Sequence, residues 1–213
     1  MKIAILRRSY DAMGGAELYL QRLFQSLICN GHEVHLFAEN WESLPPEIHF
    51  HRIQKTSGRA NRVKGFDKNV QSAVAQNAFD IVFSLERLSR QDVLRAGDGV
   101  HASWLEQRRR FSPTWRRWIT GRGAFHRAMM ALETRSFAPA NTRHIIINSE
   151  MVGRDIRARF GFPEERMHLV HNGVEVERWR SGDREARRAE WDVAPDELLL
   201  LFAGSGWERK GLP

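Results

Sequence analysis

Apolar residues recur along this chain with two different periods. Ile3-Ala4-Ile5-Leu6 is a continuous apolar run, the pattern of a strand buried on both faces. After it, Ala16, Leu20, Leu23, Phe24 and Leu27 fall on one helical stripe. Asn30-Gly31-His32 supplies a helix stop, and Glu33 to Ala38 reads as a second strand. Strand, helix and strand in that order predict a parallel pair with a right-handed crossover.

The same reading continues down the chain. The polar stretch from Asn40 to Gly65, broken by Pro45-Pro46 and Ser57-Gly58, reads as loop with an edge strand around His49 to Ile53. A helix is expected from about Asp67 to Asn77, with Val70, Ala73 and Val74 inward. Strands follow at Phe79 to Ser84 and Val93 to Ala96, the second ending at Gly97-Asp98-Gly99. A helix over Ala124 to Phe137 precedes a strand at His144 to Asn148. Ser149 is a candidate N-cap for a short helix carrying Met151, Ile156 and Phe160 and stopped by Gly161. Met167 to Val170 is another strand, and His171-Asn172-Gly173-Val174 a turn. The charged stretch from Arg178 to Asp192 reads as linker and helix, before a further strand at Glu197 to Ala203 and a glycine turn at Gly204-Ser205-Gly206.

This alternation defines an α/β fold: a Rossmann-like parallel sheet with helices on both faces. Residues 1–175 form the first domain. Residues 176–213 are a linker and the start of a second, so the chain is expected to be the front portion of a longer protein.

Composition narrows the chemistry. With 33 Lys and Arg against 26 Asp and Glu the formal charge is +7, which favours anionic partners. The single cysteine, Cys29, permits no internal disulfide and fits a reducing compartment; its apolar neighbours suggest a small core residue. No run approaches the roughly 20 apolar residues that span a bilayer, and the amino terminus lacks the pattern of a signal peptide. A cytoplasmic protein is expected. The nine histidines show no close ligand spacing of a recognised metal motif with cysteine or acids, so no metal is expected; His49 and His51 share a strand face and suit the surface.

Two stretches carry candidate chemistry. Between the first strand and its helix lies Asp11-Ala12-Met13-Gly14-Gly15-Ala16-Glu17. A strand that enters a helix through adjacent glycines exposes unpaired N–H groups at a positive helix end, an arrangement suited to a phosphate as well as to a plain turn. A nicotinamide fingerprint and a P-loop are excluded by the residues around Gly14-Gly15 and Lys210. The second stretch, His101 to Arg127, holds seven arginines, three tryptophans and two phenylalanines against one acid, Glu106. Arg109, Arg110, Trp115, Arg116, Arg117 and Trp118 suit an anionic membrane surface or an anionic acceptor. Two other readings are a nucleic-acid groove and a solvated basic helix whose tryptophans pack inward.

The glycine turn, the Asn172-Gly173-Val174 turn and the segment from Leu199 to Gly211 occur in an order that resembles the retaining, two-Rossmann-domain glycosyltransferases of the family 4 type. Within that group the likeness is to bacterial lipopolysaccharide-core glucosyltransferases. The resemblance implies the amino-terminal half of a GT-B fold, the acceptor held by the first domain and a nucleotide-sugar donor, such as UDP-glucose, by the second. It implies that Gly14, Gly15 and Glu17 lie near the donor phosphates, that Arg209 and Lys210 bind the diphosphate, and that His101 meets the transferred sugar. Asp98 and His101 also follow a short strand at its carboxyl end, where open α/β sheets place their ligands, and are candidate catalytic residues; the plain alternative is a turn cap and an ordinary surface histidine. The implied partners are a nucleotide-sugar, an anionic glycolipid acceptor and the cytoplasmic face of the inner membrane, with no nucleic acid and no metal. Ser205 stands where the family often has arginine. The competing expectation is a non-catalytic basic α/β domain that binds nucleic acid or membrane.

Overall fold

The computed structural model describes residues 1–10, 15–174 and 176–203. The chain divides into two compact units, Met1–Asn172 and Gly173–Pro213. In the first, seven strands run parallel: β1 (Lys2–Leu6), β2 (Glu33–Ala38), β3 (Ile48–Arg52), β4 (Ile81–Ser84), β5 (Gln91–Arg95), β6 (Thr142–Ile147) and β7 (Met167–Leu169). Their order across the sheet is β3-β2-β1-β4-β5-β6-β7. Six helices join them: α1 (Gly15–Cys29), α2 (Arg59–Val74), α3 (His101–Arg110), α4 (Thr114–Arg117), α5 (Ala124–Ser136) and α6 (Glu150–Phe160).

Direction of travel decides which face each helix covers. The crossover through α1 carries the chain towards the β3 edge, whereas those through α2, α5 and α6 carry it towards β7. With right-handed crossovers, α1 must lie on one face and α2, α5 and α6 on the other. The packing agrees. Leu20 and Phe24 of α1 bury Ile3, Ile5, Val34 and Leu36. Phe66 and Val70 of α2 bury the alternate residues Ala4, Leu6 and Phe37. Val152 and Ile156 of α6 pack on Leu94 and Ile145. Both faces are therefore covered, and this is why the strands read as continuous apolar runs.

The cap assignments at α6 hold in detail. Ser149 accepts the N–H of Val152, and Gly161 closes the helix in the left-handed conformation at φ 62°. Gly153 lets α6 approach the sheet, since a Cβ there would sit 2.6 Å from Ile147 Cδ1.

Three expectations are corrected. The second helix begins at Arg59, inside the stretch read as loop, because its inward stripe of Val63, Phe66, Asp67 and Val70 starts before Gly65. Asp67 is buried because it accepts from the backbone N–H and hydroxyl of Ser89, at 2.7 and 2.9 Å. Cys29 is exposed: it ends α1 five residues after Phe24, well off the inward stripe. The second unit contains α7 (Val176–Arg180) and α8 (Arg184–Glu190), but residues 197–203 form no strand. An extended run becomes a strand only by bonding to a neighbour, and no ladder among the described residues includes it. Leu198, Leu200 and Leu201 accordingly stand 81, 83 and 72% exposed.

Candidate functional site

Open parallel sheets bind ligands beyond the carboxyl ends of the strands, where neighbouring connections depart in opposite directions. Here that point lies between β1, whose chain turns towards β2, and β4, whose chain turns towards β5. Arg7 follows β1 and Glu86 follows β4; the two pair at 3.2 Å, and the N–H of Arg8 also donates to Glu86. A cleft of about 210 Å³ opens there, lined by Arg7, Arg8, Glu86, Arg87, Asp98 and Phe125. A second groove of about 560 Å³ runs between α3 and α6, where Asp98, Trp104, Glu106, Met151, Asp155 and Arg159 line it. Exposed Asp98 sits where the two meet.

His101 starts α3, and its position is set by a residue on α5. Glu133 is only 1% exposed and accepts the backbone N–H groups of His101 and Ala102, at 2.6 and 3.1 Å. It thereby satisfies two of the unpaired donors at the start of α3. Arg87 completes the cluster, donating Nε to Glu133 at 3.0 Å and Nη2 to the Gly99 carbonyl at 2.6 Å. The loop carrying Asp98 and the head of α3 are thus tied to one buried ion pair.

The His101 imidazole stacks on Trp104 and lies with Nε2 3.1 Å from His126 Nδ1. Burial, then the charges of Arg87 and His126, push its pKa down to about 4. His126 is also lowered, by burial and then by the charges of Arg108 and Arg59. At neutral pH, then, His101 is an uncharged imidazole that can both donate and accept.

The direction of that shift predicts a stability profile. Below pH 6.5, the ordinary histidine value, the unfolded chain takes up protons that the folded chain refuses. Stability is therefore full above pH 6.5 and declines as pH falls towards about 4. The melting temperature is expected to be lower at pH 5 than at pH 8. His101→Asn should narrow that difference in a thermal scan at the two pH values; an unchanged difference would place the shift elsewhere.

Gly15 and Glu17 fall in the first turn of α1, after β1. Gly14, Arg209 and Lys210 lie outside the described residues. The basic stretch forms α3, the short α4 and their connection. Trp115 and Trp118 are 63 and 67% exposed and Phe111 85%, so the reading in which the tryptophans pack into the core is overturned. Arg109 donates to the carbonyl of Thr120, and Arg117 to those of Ser112 and Arg110. Carbonyls carry no net charge to offset theirs. Exposed Arg110 completes the basic last turn of α3, and Arg116 belongs to α4.

Sequence reasoning missed Arg87, Glu133, Trp104 and His126. One signal was present: Glu133 interrupts the inward stripe of Ala128, Leu132 and Ser136. A charge on an apolar stripe requires a buried partner.

Comparison with known proteins agrees with this architecture. The profile of Glycosyltransferase Family 4 matches residues 13–178. The lipopolysaccharide glucosyltransferase WaaG of Escherichia coli K12 is 24% identical over the whole of this chain, which spans 56% of that enzyme. A D-inositol 3-phosphate glycosyltransferase of Catenulispora acidiphila is 36% identical over 39% of this chain and 20% of its own length. Among solved structures, that of WaaG, a glycosyltransferase involved in lipopolysaccharide biosynthesis, superposes with a TM-score of 0.79 at 22% identity, covering 98% of this chain and 56% of that one. The sucrose-phosphate synthase of Thermosynechococcus elongatus superposes at 0.58 and 12% identity, over 92% of this chain and 53% of its own.

Proposed function

This chain belongs to glycosyltransferase family 4, and from that premise we propose that it is the acceptor side of an enzyme that moves a sugar from a nucleotide-sugar to a cell-envelope glycan of the lipopolysaccharide type. Residues 1–175 form the domain that holds the acceptor, and residues 176–213 lead into the donor domain. The observation that carries the reading is the buried Arg87–Glu133 pair at the carboxyl ends of β4 and β5, which ties the loop after Asp98 at Gly99 to the head of α3 at His101.

In such a transfer the bond from the anomeric carbon to the nucleoside diphosphate breaks, and the acceptor hydroxyl oxygen bonds to that carbon. The hydroxyl proton leaves with a departing phosphate oxygen. Negative charge grows on the diphosphate, and the family resemblance assigns Gly14, Gly15, Arg209 and Lys210 to offset it. The same resemblance assigns Glu17 to this group. An uncharged His101 holds a hydroxyl of the transferred sugar without attracting the diphosphate away from its cations. Asp98 accepts from an acceptor hydroxyl at the mouth of the groove. The test is saturable transfer by the full-length protein from a panel of nucleotide-sugars, UDP-glucose first, to a purified lipopolysaccharide-core acceptor. Absence of transfer from every donor would overturn the reading.

The exposed rings of Phe111, Trp115 and Trp118 beside Arg109, Arg110, Arg116 and Arg117 support docking on the anionic cytoplasmic face of the inner membrane, where a lipid-linked acceptor resides. No described helix is long and apolar enough to cross a membrane, so the association is peripheral in this reading. Co-sedimentation with vesicles containing anionic lipid is expected to weaken as salt rises, because screening acts over about 8 Å at physiological ionic strength. Replacing the four arginines with glutamine should reduce it several-fold, and unchanged binding would make the patch a solvated face. RNA binding that outcompeted the vesicles would favour the nucleic-acid alternative.

A further inference from the structure

The transfer reading leaves unused a histidine cluster at the other end of the sheet. Glu33 and His35 alternate along β2, and His49 and His51 along β3, all on the face that α2 covers. The parallel register sets His35 directly opposite His49 and Phe37 opposite His51. Four metal-binding side chains thus converge near the amino-terminal ends of two adjacent strands, away from the cleft.

The geometry inside the cluster is tight. His35 is 6% exposed and engaged at both nitrogens: Nε2 lies 2.7 Å from Glu33 Oε1, and Nδ1 lies 2.7 Å from His51 Nε2. The His49 ring stacks on His35 at 4.6 Å, and His51 stacks on Phe37 at 4.4 Å. Phe79 closes the inner side, edge-on to His35 at 5.1 Å. One ligand atom from each of Glu33, His35 and His49 lies within 4.8 Å of the other two. Around a tetrahedral zinc ion, with bonds of roughly 2.0–2.2 Å, ligand atoms sit roughly 3.4 Å apart, so His49 must draw in while Glu33 Oε1 opens from its 2.7 Å contact with His35 Nε2. Glu33 and His49 are both exposed enough to move, while His35 stays fixed.

We propose that Glu33, His35 and His49 bind one divalent transition-metal ion of the zinc type, which clips the edge strand β3 to β2. Two imidazoles and a carboxylate are a zinc-type donor set with a fourth position open to water. His51 supplies the outer-shell partner that ligating histidines require. Without metal, the Glu33 carboxylate can only accept, so His35 carries its proton on Nε2 and takes a hydrogen bond from His51 Nε2–H at its bare Nδ1. The ion takes the place of that proton. His35 is then protonated at Nδ1 and donates to His51, which shifts its own proton to Nδ1; the two rings keep two protons between them. One competing cation is present: Lys2 Nζ stands 3.5 Å from Glu33 Oε1 and must swing aside.

The test is calorimetric titration of tag-free protein with zinc chloride at pH 7.5, paired with thermal scans and with cobalt substitution. One ion per chain is expected, with a rise in melting temperature and the intense visible bands of tetrahedral cobalt. His49→Ala alters an exposed side chain and should fold, yet lose the one-to-one binding and the thermal shift. His51→Ala should weaken binding by about 10- to 100-fold, the range for an outer-shell partner. His144→Ala, which breaks a separate histidine pair between β6 and β7 (3.0 Å), should change nothing. Failure of the parent protein to bind zinc saturably, or equal binding by His49→Ala, would overturn the proposal.

Discussion

On the proposed transfer reaction, replacing His101 with alanine is expected to lower kcat about 10²- to 10³-fold, the loss seen when one positioned donor is removed from a polar active site. Glu133 holds His101 through the main-chain N–H, at 2.6 Å, and alanine keeps that bond. The helix start should survive, and the melting temperature at pH 8 should change little. What disappears is a neutral ring locked between Trp104 and His126. A loss confined to kcat, with donor KM nearly constant, would mean that the ring acts in the transition state. His101→Asn, which retains a donor of similar reach, should recover part of the rate. If activity instead falls only in step with the folded fraction, His101 is a packing residue and the proposed site is wrong.

Glu133→Ala is expected to produce the largest stability loss of any single charge removal in the first unit, about 3–5 kcal/mol, because breaking a buried pair strands its partner. The Arg87 side chain, only 15% exposed, would lose its counter-ion, and two N–H groups at the head of α3 would lose their acceptor. Glu133→Gln keeps the shape and some of the hydrogen bonds but no charge, so it should cost less, about 1–3 kcal/mol. For contrast, removing the Glu150–Arg154 pair, whose side chains are 75 and 65% exposed, should cost only about 0.3–0.5 kcal/mol. Urea midpoints of the three variants would rank them. Should Glu133→Ala cost no more than the surface pair, the cluster does not organise the site. Because the same carboxylate anchors the loop of Asp98 and the start of α3, Glu133→Gln should also slow transfer while it remains folded.

The site was legible only in part. Asp98 and His101 stand out because they follow a strand and a glycine turn, where open α/β sheets place their ligands. Glu17, Gly14 and Gly15 stand out through the strand–glycine–helix junction. The residues that give His101 its character do not. Arg87 and Glu133 are 46 positions apart and His101 and His126 are 25 apart. Nothing in the spacing of either pair marks it as a contact. The exposure of Trp115 and Trp118 was equally open, since an arginine–tryptophan helix can turn its rings inward or outward.

By itself the sequence determined the local elements whose causes are local. The span Glu33–Ala38 was read to the residue, and the caps of α6 at Ser149 and Gly161 were visible, because apolar period, side-chain capping and left-handed glycine all act within a few residues. It determined the sense of the fold too, since alternating strands and helices leave few right-handed arrangements. Only the tertiary structure decided the rest. It turned Cys29 outward, extended α2 back to Arg59 by packing Val63 inward, and left 197–203 without a ladder among the described residues. It also set His35 against His49 and Glu133 against Arg87. The reason is the same in each case: burial, pairing and charge compensation depend on what a residue meets across the sheet, and the register that brings the two together is a property of the whole chain.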